Sequence, residues 1–344
     1  METRFGARMG DGSRIEMTVS EIRAEIEDGV EAAVKRAKVP PLTADEVDHL
    51  CDIFCSNVRF SAVDVGDEVI LSSDGTCSLE VGSSNEQLLI YQNNLGADTL
   101  ELATDDYSYK AVKTFATSEA YRMKMAQLHV VAPAQYGAMP DLGRYSRPDG
   151  PIANWSELLP LGKIDEARAA QEEAMELAIE DMVFVADHLW EGGADGIDFD
   201  TGGASGDADL LATLRTTEIL REKYPTMGIQ MGMAAEMVLG MHGEITYDGK
   251  RLAGMWPSQQ QEVVEKAGAT VFGPAVNVNT TTSVAWNTAR ACTLIKPCME
   301  KARIPVHPNV GMGVCGVPMT AIPPGDALTR ASRALVDILK VDGL

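Results

Sequence analysis

Apolar residues recur at helical spacing near the start of the chain, where Ile22, Ile26, Val30 and Val34 follow Thr18, Ser20 and Glu21. A helix is predicted from Thr18 to the Pro40-Pro41 pair, which cannot continue it. Thr43 caps a second helix, with Glu46 at the capping-box position and Val47, Leu50 and Ile53 inside. A hairpin is expected between residues 63 and 81, turning at Asp74-Gly75 between Val69-Ile-Leu71 and Cys77-Ser-Leu79. From Leu88 onward the rhythm is regular. Short apolar runs predict buried strands at 99–103, 128–132, 196–199, 228–233, 271–276, 304–310 and 341–344. Amphipathic stretches predict helices between them, including 118–125, 165–190, 208–224, 257–267, 286–301 and 326–340. The longest carries Ala169, Met175, Ala178, Met182, Val185 and Leu189 on one face, where methionine fills a core.

Three strands open on the same words. Gly96-Ala97, Gly193-Ala194 and Gly268-Ala269 each close a helical stretch and start an apolar run, the punctuation of a repeated βα unit. Strands alternating with helices imply an α/β fold, either a (β/α)8 TIM-type barrel or a doubly wound sheet. No GxGxxG follows the first strand, so the dinucleotide fingerprint is missing. Polar residues stand at nearly all the strand ends. A barrel would converge them on one mouth, and a barrel is the expectation. Residues 1–87 would cap it with helices and the hairpin, and residues 88–344 would supply the βα units. Seven strands are expected where a closed barrel needs eight, and the chain stops at Val341-Asp-Gly-Leu344, where a strand begins. The barrel is therefore expected to be incomplete at the C-terminus, and the chain to be part of a longer protein.

Composition changes this picture little. The 344 residues are 45% hydrophobic and 23% charged, which is ordinary for a folded protein. The net charge of −22 disfavours nucleic acid and tolerates a small cationic substrate. Six cysteines without a CxxC pair read as reduced thiols in a cytoplasmic protein. No apolar run is long enough to span a bilayer.

The strand ends carry the candidate chemistry: Glu101, Asp105 and Asp106; Gln135 and Tyr136; Asp198 and Asp200; Glu236; Asn277 and Asn279; His307 and Asn309. Alternation places Asp198 and Asp200 on one face and Ile197 and Phe199 on the other. Either acid could instead cap a helix or a turn. Glu236 follows a small, apolar strand, where a partly buried carboxyl would have a raised pKa and serve as acid or base. A lone His307 is as readily a structural residue, and Gly311–Gly316 lacks the Lys-Ser/Thr of a phosphate loop. Asp198 and Glu236 at successive strand ends would also suit a metal-dependent lyase or isomerase.

Longer words carry a resemblance. Arg8-Met-Gly-Asp-Gly12, Gly96-Ala-Asp-Thr-Leu-Glu-Leu102 with Asp106-Tyr-Ser108, Tyr136-Gly-Ala-Met-Pro140, and Phe199-Asp-Thr201 with Gly206-Asp-Ala-Asp209 are four. Glu236-Met-Val-Leu-Gly-Met-His-Gly243, Tyr247-Asp-Gly249 with Arg251-Leu-Ala-Gly254, Asn309-Val-Gly-Met-Gly-Val314 and Thr329-Arg-Ala-Ser332 are four more. From about Arg8 to Leu344 the chain resembles the dimethylamine:corrinoid methyltransferases of methanogens. The resemblance implies a (β/α)8 barrel that moves one methyl group from dimethylamine to the Co(I) corrinoid of a separate protein and releases monomethylamine. It implies no directly bound cofactor. It also implies pyrrolysine, encoded by an in-frame amber codon, immediately after Leu344; a chain stopped at that codon would itself be inactive. With that chemistry, Glu236 is expected to transfer the proton, and Asp198, Asp200 and Glu101 to bind the ammonium. Asp106, Tyr136, Asn277 and His307 are further candidates to line the substrate site. Partners would be dimethylamine, the corrinoid protein and further copies of this chain.

Overall fold

The structure, a computed structural model, describes residues 2–61, 71–74, 97–101, 134–320 and 323–344. Its helices are α1 (Val19–Ala37), α2 (Ala44–Phe54), α3 (Ile164–Gly192), α4 (Asp207–Lys223), α5 (Pro257–Ala267), α6 (Val284–Lys301) and α7 (Gly325–Ala334), besides shorter turns. Its strands are β1 (Arg4–Arg8), β2 (Arg14–Thr18), β3 (Leu71–Asp74), β4 (Ala97–Glu101), β5 (Ala134–Ala138), β6 (Gly196–Gly202), β7 (Gly228–Met233), β8 (Thr246–Tyr247), β9 (Lys250–Arg251) and β10 (Val271–Gly273). They sort into two compact units. One holds residues 1–69, 256–258 and 273–344, the other residues 70–255 and 259–272. The expected boundary at residue 87 lies outside the described residues.

The first unit is mainly helical. The expected capping box at Thr43 forms, and a second one forms at Thr18: Glu46 N–H donates to the Thr43 hydroxyl and Glu21 N–H to the Thr18 hydroxyl. In return, Thr18 N–H and Thr43 N–H each donate to their glutamate at 2.7 Å. Each box satisfies two helix-end donors. α1 lies along α6 because Gly29 has no side chain; a Cβ there would stand 2.4 Å from the Trp286 carbonyl oxygen. Ile22, Ile26, Ala33, Leu50, Ala289 and Ile295 are fully buried. Each large side chain buried in this way contributes about 1.5–3 kcal/mol. An antiparallel β1–β2 hairpin, unforeseen in the sequence reading, sets Phe5 opposite Met17. In the Gly-rich loop at 311–316, Gly316 is needed for packing. It sits at φ +92°, and a Cβ on it would stand 2.2 Å from the Thr288 hydroxyl.

Among the described residues, the second unit is built on a six-stranded sheet ordered β10-β7-β6-β5-β4-β3. The order follows the chain without reversal, and every pairing from β3 through β7 is parallel. Ile197, Phe199, Ile229 and Met231 are at most 1% exposed, and α3 and α4 pack against β6. At two of the three expected pairs the Gly-Ala punctuation acts as expected, while Gly96 lies outside the described residues. Gly193 and Gly268 both sit at φ +99°, with Ala194 N–H donating to Leu189 and Ala269 N–H to Val264. Each ends a helix in a left-handed cap and releases the chain into a strand.

Three expectations change, and the hairpin lies partly outside the described residues: Leu71–Asp74 forms a strand that reaches the expected turn residue Asp74 and pairs in parallel with β4. The other arm, the strand at 128–132 and the helix at 118–125 lie outside the described residues. Neither 304–310 nor 341–344 forms a strand. Pro305 and Pro308 have no N–H for a ladder. Asp342 instead accepts from Val306 N–H at 2.9 Å and donates its own N–H back to the Val306 carbonyl at 3.2 Å. The helix at 326–340 divides into α7 and a π-helical turn, Leu335–Leu339.

Candidate functional site

The strand ends of the second unit bring two of the expected acids together. β6 is fixed on both sides, with Asp198 in register between Gly137 of β5 and Gln230 of β7. Ile197 and Phe199 fill the core, so the alternate positions carry the acids. Asp198 is only 3% exposed. Beyond Phe199 the register slips, and Thr201 takes a left-handed conformation at φ +58°. That turn lets Thr201 N–H donate to Asp200 Oδ1 at 2.8 Å. Burial raises the pKa of Asp200, and the Thr201 hydrogen bond opposes the rise.

Both carboxyls face one bare spot on β7. A Cβ built on Gly232 would lie 3.5 Å from Asp198 Oδ1 and 3.5 Å from Asp200 Oδ1. The two oxygens are therefore no farther apart than twice that distance. Two close carboxyls, at least one with raised proton affinity, can hold an organic cation and exchange its proton.

Glu236 lies in the segment that leaves β7, and it is partly buried. That segment is tied down along its length. Asp207, fully buried at the start of α4, accepts from His242 N–H at 2.9 Å and Gly243 N–H at 2.7 Å. Its own N–H donates to the Leu239 carbonyl at 2.8 Å. Arg168 of α3 donates to the His242 carbonyl at 3.1 Å, and Glu172 meets His242 Nε2 at 2.9 Å. Gln260 of α5 donates to the Ala235 carbonyl at 3.3 Å and the Met255 carbonyl at 3.1 Å.

A second acidic group stands behind β6. Asp209 is fully buried, and Oδ2 accepts from Ser205 N–H at 3.4 Å while Oδ1 has no hydrogen-bond partner. The Ser205 hydroxyl donates to Asp141 at 2.8 Å. Burial pushes the Asp209 carboxyl well above the ordinary carboxylate range, and the charge of Asp141 adds to the rise.

The remaining expected residues divide. Glu101 ends β4 in register with Gln135, and Tyr136 pairs with Ile197, so both lie on strands of the same sheet. Asp106 lies outside the described residues. Asn277 and His307 belong to the first unit. There the Asn277 carbonyl accepts from Arg290 at 3.4 Å, and burial pushes the His307 imidazole down to about 4, which leaves it neutral at pH 7. Asp207, Asp209 and Gln260 were not foreseen as site residues. Asp207 and Asp209 read in sequence as ordinary first-turn acids, and Gln260 as one of three successive glutamines. Among the described residues, no three His, Cys, Asp or Glu side chains are grouped to hold a metal ion. No helix among them is long and apolar enough to cross a membrane.

Comparison with solved structures gives distant likenesses. An enolase from Agrobacterium radiobacter, a putative galactarate dehydratase, shares 9% identity over 97% of this chain and 78% of its own, with a TM-score of 0.43. A mandelate racemase/muconate lactonizing protein from Paracoccus denitrificans shares 7% over 89% and 77%, with a TM-score of 0.35. The carboxyl transferase domain of Rhizobium etli pyruvate carboxylase shares 12% over 93% and 50%, with a TM-score of 0.41. The family model for dimethylamine methyltransferase matches residues 3–344.

Proposed function

The chain belongs to the dimethylamine methyltransferase family, and we propose that it transfers one methyl group from dimethylamine to the Co(I) corrinoid of a separate cytoplasmic protein, releasing monomethylamine. In this reaction one C–N bond breaks and nitrogen keeps its electron pair. The two electrons of the new bond to carbon come from the acceptor metal. Nitrogen must carry its extra proton before the bond breaks, so that it leaves as neutral monomethylamine and not as an amide anion, a very poor leaving group. Asp198 and Asp200 hold the substrate ammonium through charge-assisted hydrogen bonds. An ammonium beside Asp200 would offset the burial that raises its pKa. Glu236, in the segment that leaves the neighbouring strand β7, gives its proton to dimethylamine that arrives as the free base, which forms that ammonium, and takes a proton back from water. We propose further that the sheet belongs to a barrel. The unreversed order of its strands supports this, since a doubly wound sheet reverses at a switch point.

The observation that carries this reading is the pair of carboxyls facing Gly232 at a parallel-sheet end, in a chain whose family acts on a cationic amine. The enzyme, mixed with dimethylamine and a reduced corrinoid protein, should consume the Co(I) absorbance and yield monomethylamine. Glu236→Gln should cut that rate by roughly 10²-fold. Wild-type protein that leaves dimethylamine intact would reject the function, and full turnover in E236Q would reject the role of Glu236.

A further inference from the structure

We propose that Gln260 is a positioning residue that fixes Glu236 through the backbone, and that Asp207 does the same from the far end of the segment; this rests on the function proposed above. The segment from Ala234 to Met255 leaves the sheet after β7 and runs on to α5. Its two arms are laced together, with Val238 N–H donating to the Met255 carbonyl at 3.0 Å and Gly254 N–H to the Val238 carbonyl at 2.8 Å. The buried carboxamide of Gln260 closes the base. Its Nε2 reaches the Ala235 carbonyl, one residue before Glu236, and also the Met255 carbonyl on the returning arm. Two carbonyl acceptors fix the amide orientation, since the opposite one would set oxygen against oxygen. Asp207 holds the other end through His242 and Gly243 N–H.

The Gln260 amide carries a cost that a packing residue would avoid. Its Oε1 is buried with no hydrogen-bond partner, and an orphaned buried acceptor destabilises the fold. An apolar side chain of the same length would fill the space without that cost, but it could not grip Ala235. The amide therefore gives Glu236 a fixed backbone at the expense of some stability, as expected where a proton donor must be held to within a fraction of an ångström.

Gln260→Met keeps the volume and removes both the grip and the orphan. In the Co(I) assay, Q260M should lose roughly 10-fold in kcat with little change in KM for dimethylamine. The double variant E236Q/Q260M should be no slower than E236Q alone, because Gln260 acts only through Glu236. Hydrogen exchange reads the same clamp without the reaction: amides of residues 235–243 should exchange about 10-fold faster in Q260M while α3 and α4 stay protected. Unchanged exchange across 235–243 would overturn the proposal whether or not wild type is active. Losses that multiply in the double variant would overturn it too. Wild type inert towards dimethylamine, with 235–243 loosened in Q260M, would remove the proposed function and leave the clamp standing. Should Q260M fail to fold, Asp207→Asn gives the second reading, with exchange rising at 239–243 and the same non-additivity with E236Q.

Discussion

The helical unit and the strand ends of the sheet unit bury polar groups in opposite ways. In the helices, buried or half-buried charge is matched at short range. Lys296 meets both oxygens of Glu46 at 2.6 and 2.7 Å, Arg8 meets both oxygens of Asp326 at 2.7 and 2.8 Å, and the Trp286 indole donates to Asp28 at 2.7 Å. These contacts hold Glu46 and Asp326 below the ordinary carboxylate range although burial opposes it. In the sheet unit burial wins, and the carboxyls of Asp200 at the end of β6 and Asp209 in the first turn of α4 are pushed up. A fold that can match its charges in one place and leaves them mismatched in another is storing proton affinity in the second. The helices should therefore respond to substitution in stability, and the strand ends in binding and proton transfer.

The largest effect expected is on the helical side. Gly29→Ala pushes a methyl group against the Trp286 backbone, which cannot move as a flexible side chain would. It should cost about 3 kcal/mol in denaturant unfolding, while the folded fraction turns over dimethylamine at the normal rate. A G29A protein as stable as wild type would break the comparison at its firmest point. Next comes Asp200→Asn, which keeps an acceptor for Thr201 N–H but loses the charge. Its affinity for dimethylammonium should fall about 30-fold by calorimetry, with thermal stability equal or higher. A destabilised D200N that still binds would make Asp200 a structural residue.

Gly232→Ala sharpens the same contrast. The new methyl group would rest at ordinary contact distance from both carboxyls, so the protein itself accommodates it. Alanine in a strand should even add about 0.5 kcal/mol of stability. Yet it occupies space where an N-methyl group would lie, and KM for dimethylamine should rise about 10-fold. An unchanged KM would show that substrate does not enter between these carboxyls.

Much of this was legible in the sequence because local rules carried it. Thr18 with Glu21 and Thr43 with Glu46 specify helix starts by themselves, and Gly193 and Gly268 specify helix ends. The pair Asp198 and Asp200 was legible because a strand alternates its faces and the apolar Ile197 and Phe199 claim one of them. Gly232 was not, because its importance lies in what stands opposite it on another strand. The same holds for Gln260, whose two acceptors sit 25 and 5 residues away. Proline explains the misread run at 304–310, where apolar composition suggested a strand and Pro305 and Pro308 forbade its ladder. The β1–β2 hairpin was legible in principle, since Phe5 and Ala7 alternate into Gly10-Asp-Gly12 and Ile15 and Met17 alternate out of it.

The smallest effect expected is also the most diagnostic of stored proton affinity. Asp209 binds its proton more tightly folded than unfolded. Between the unfolded carboxylate pKa of 3.8 and its raised folded value, the native state holds more protons than the unfolded one. Stability from this group is therefore full below pH 3.8 and is lost as pH rises through the folded value. Asp209→Asn removes the titration. Its carboxamide oxygen can keep the Ser205 N–H bond, and its NH2 can take the Oδ1 position, where the Asp141 charge would favour a donor. D209N should gain about 1 kcal/mol over wild type at pH 8, and this advantage should shrink towards pH 4. Thermal melts of the two proteins across that range decide the matter. Parallel Tm curves would mean that Asp209 is ionised throughout, with its charge satisfied in the fold. The contrast between the units would then rest on Asp200 alone.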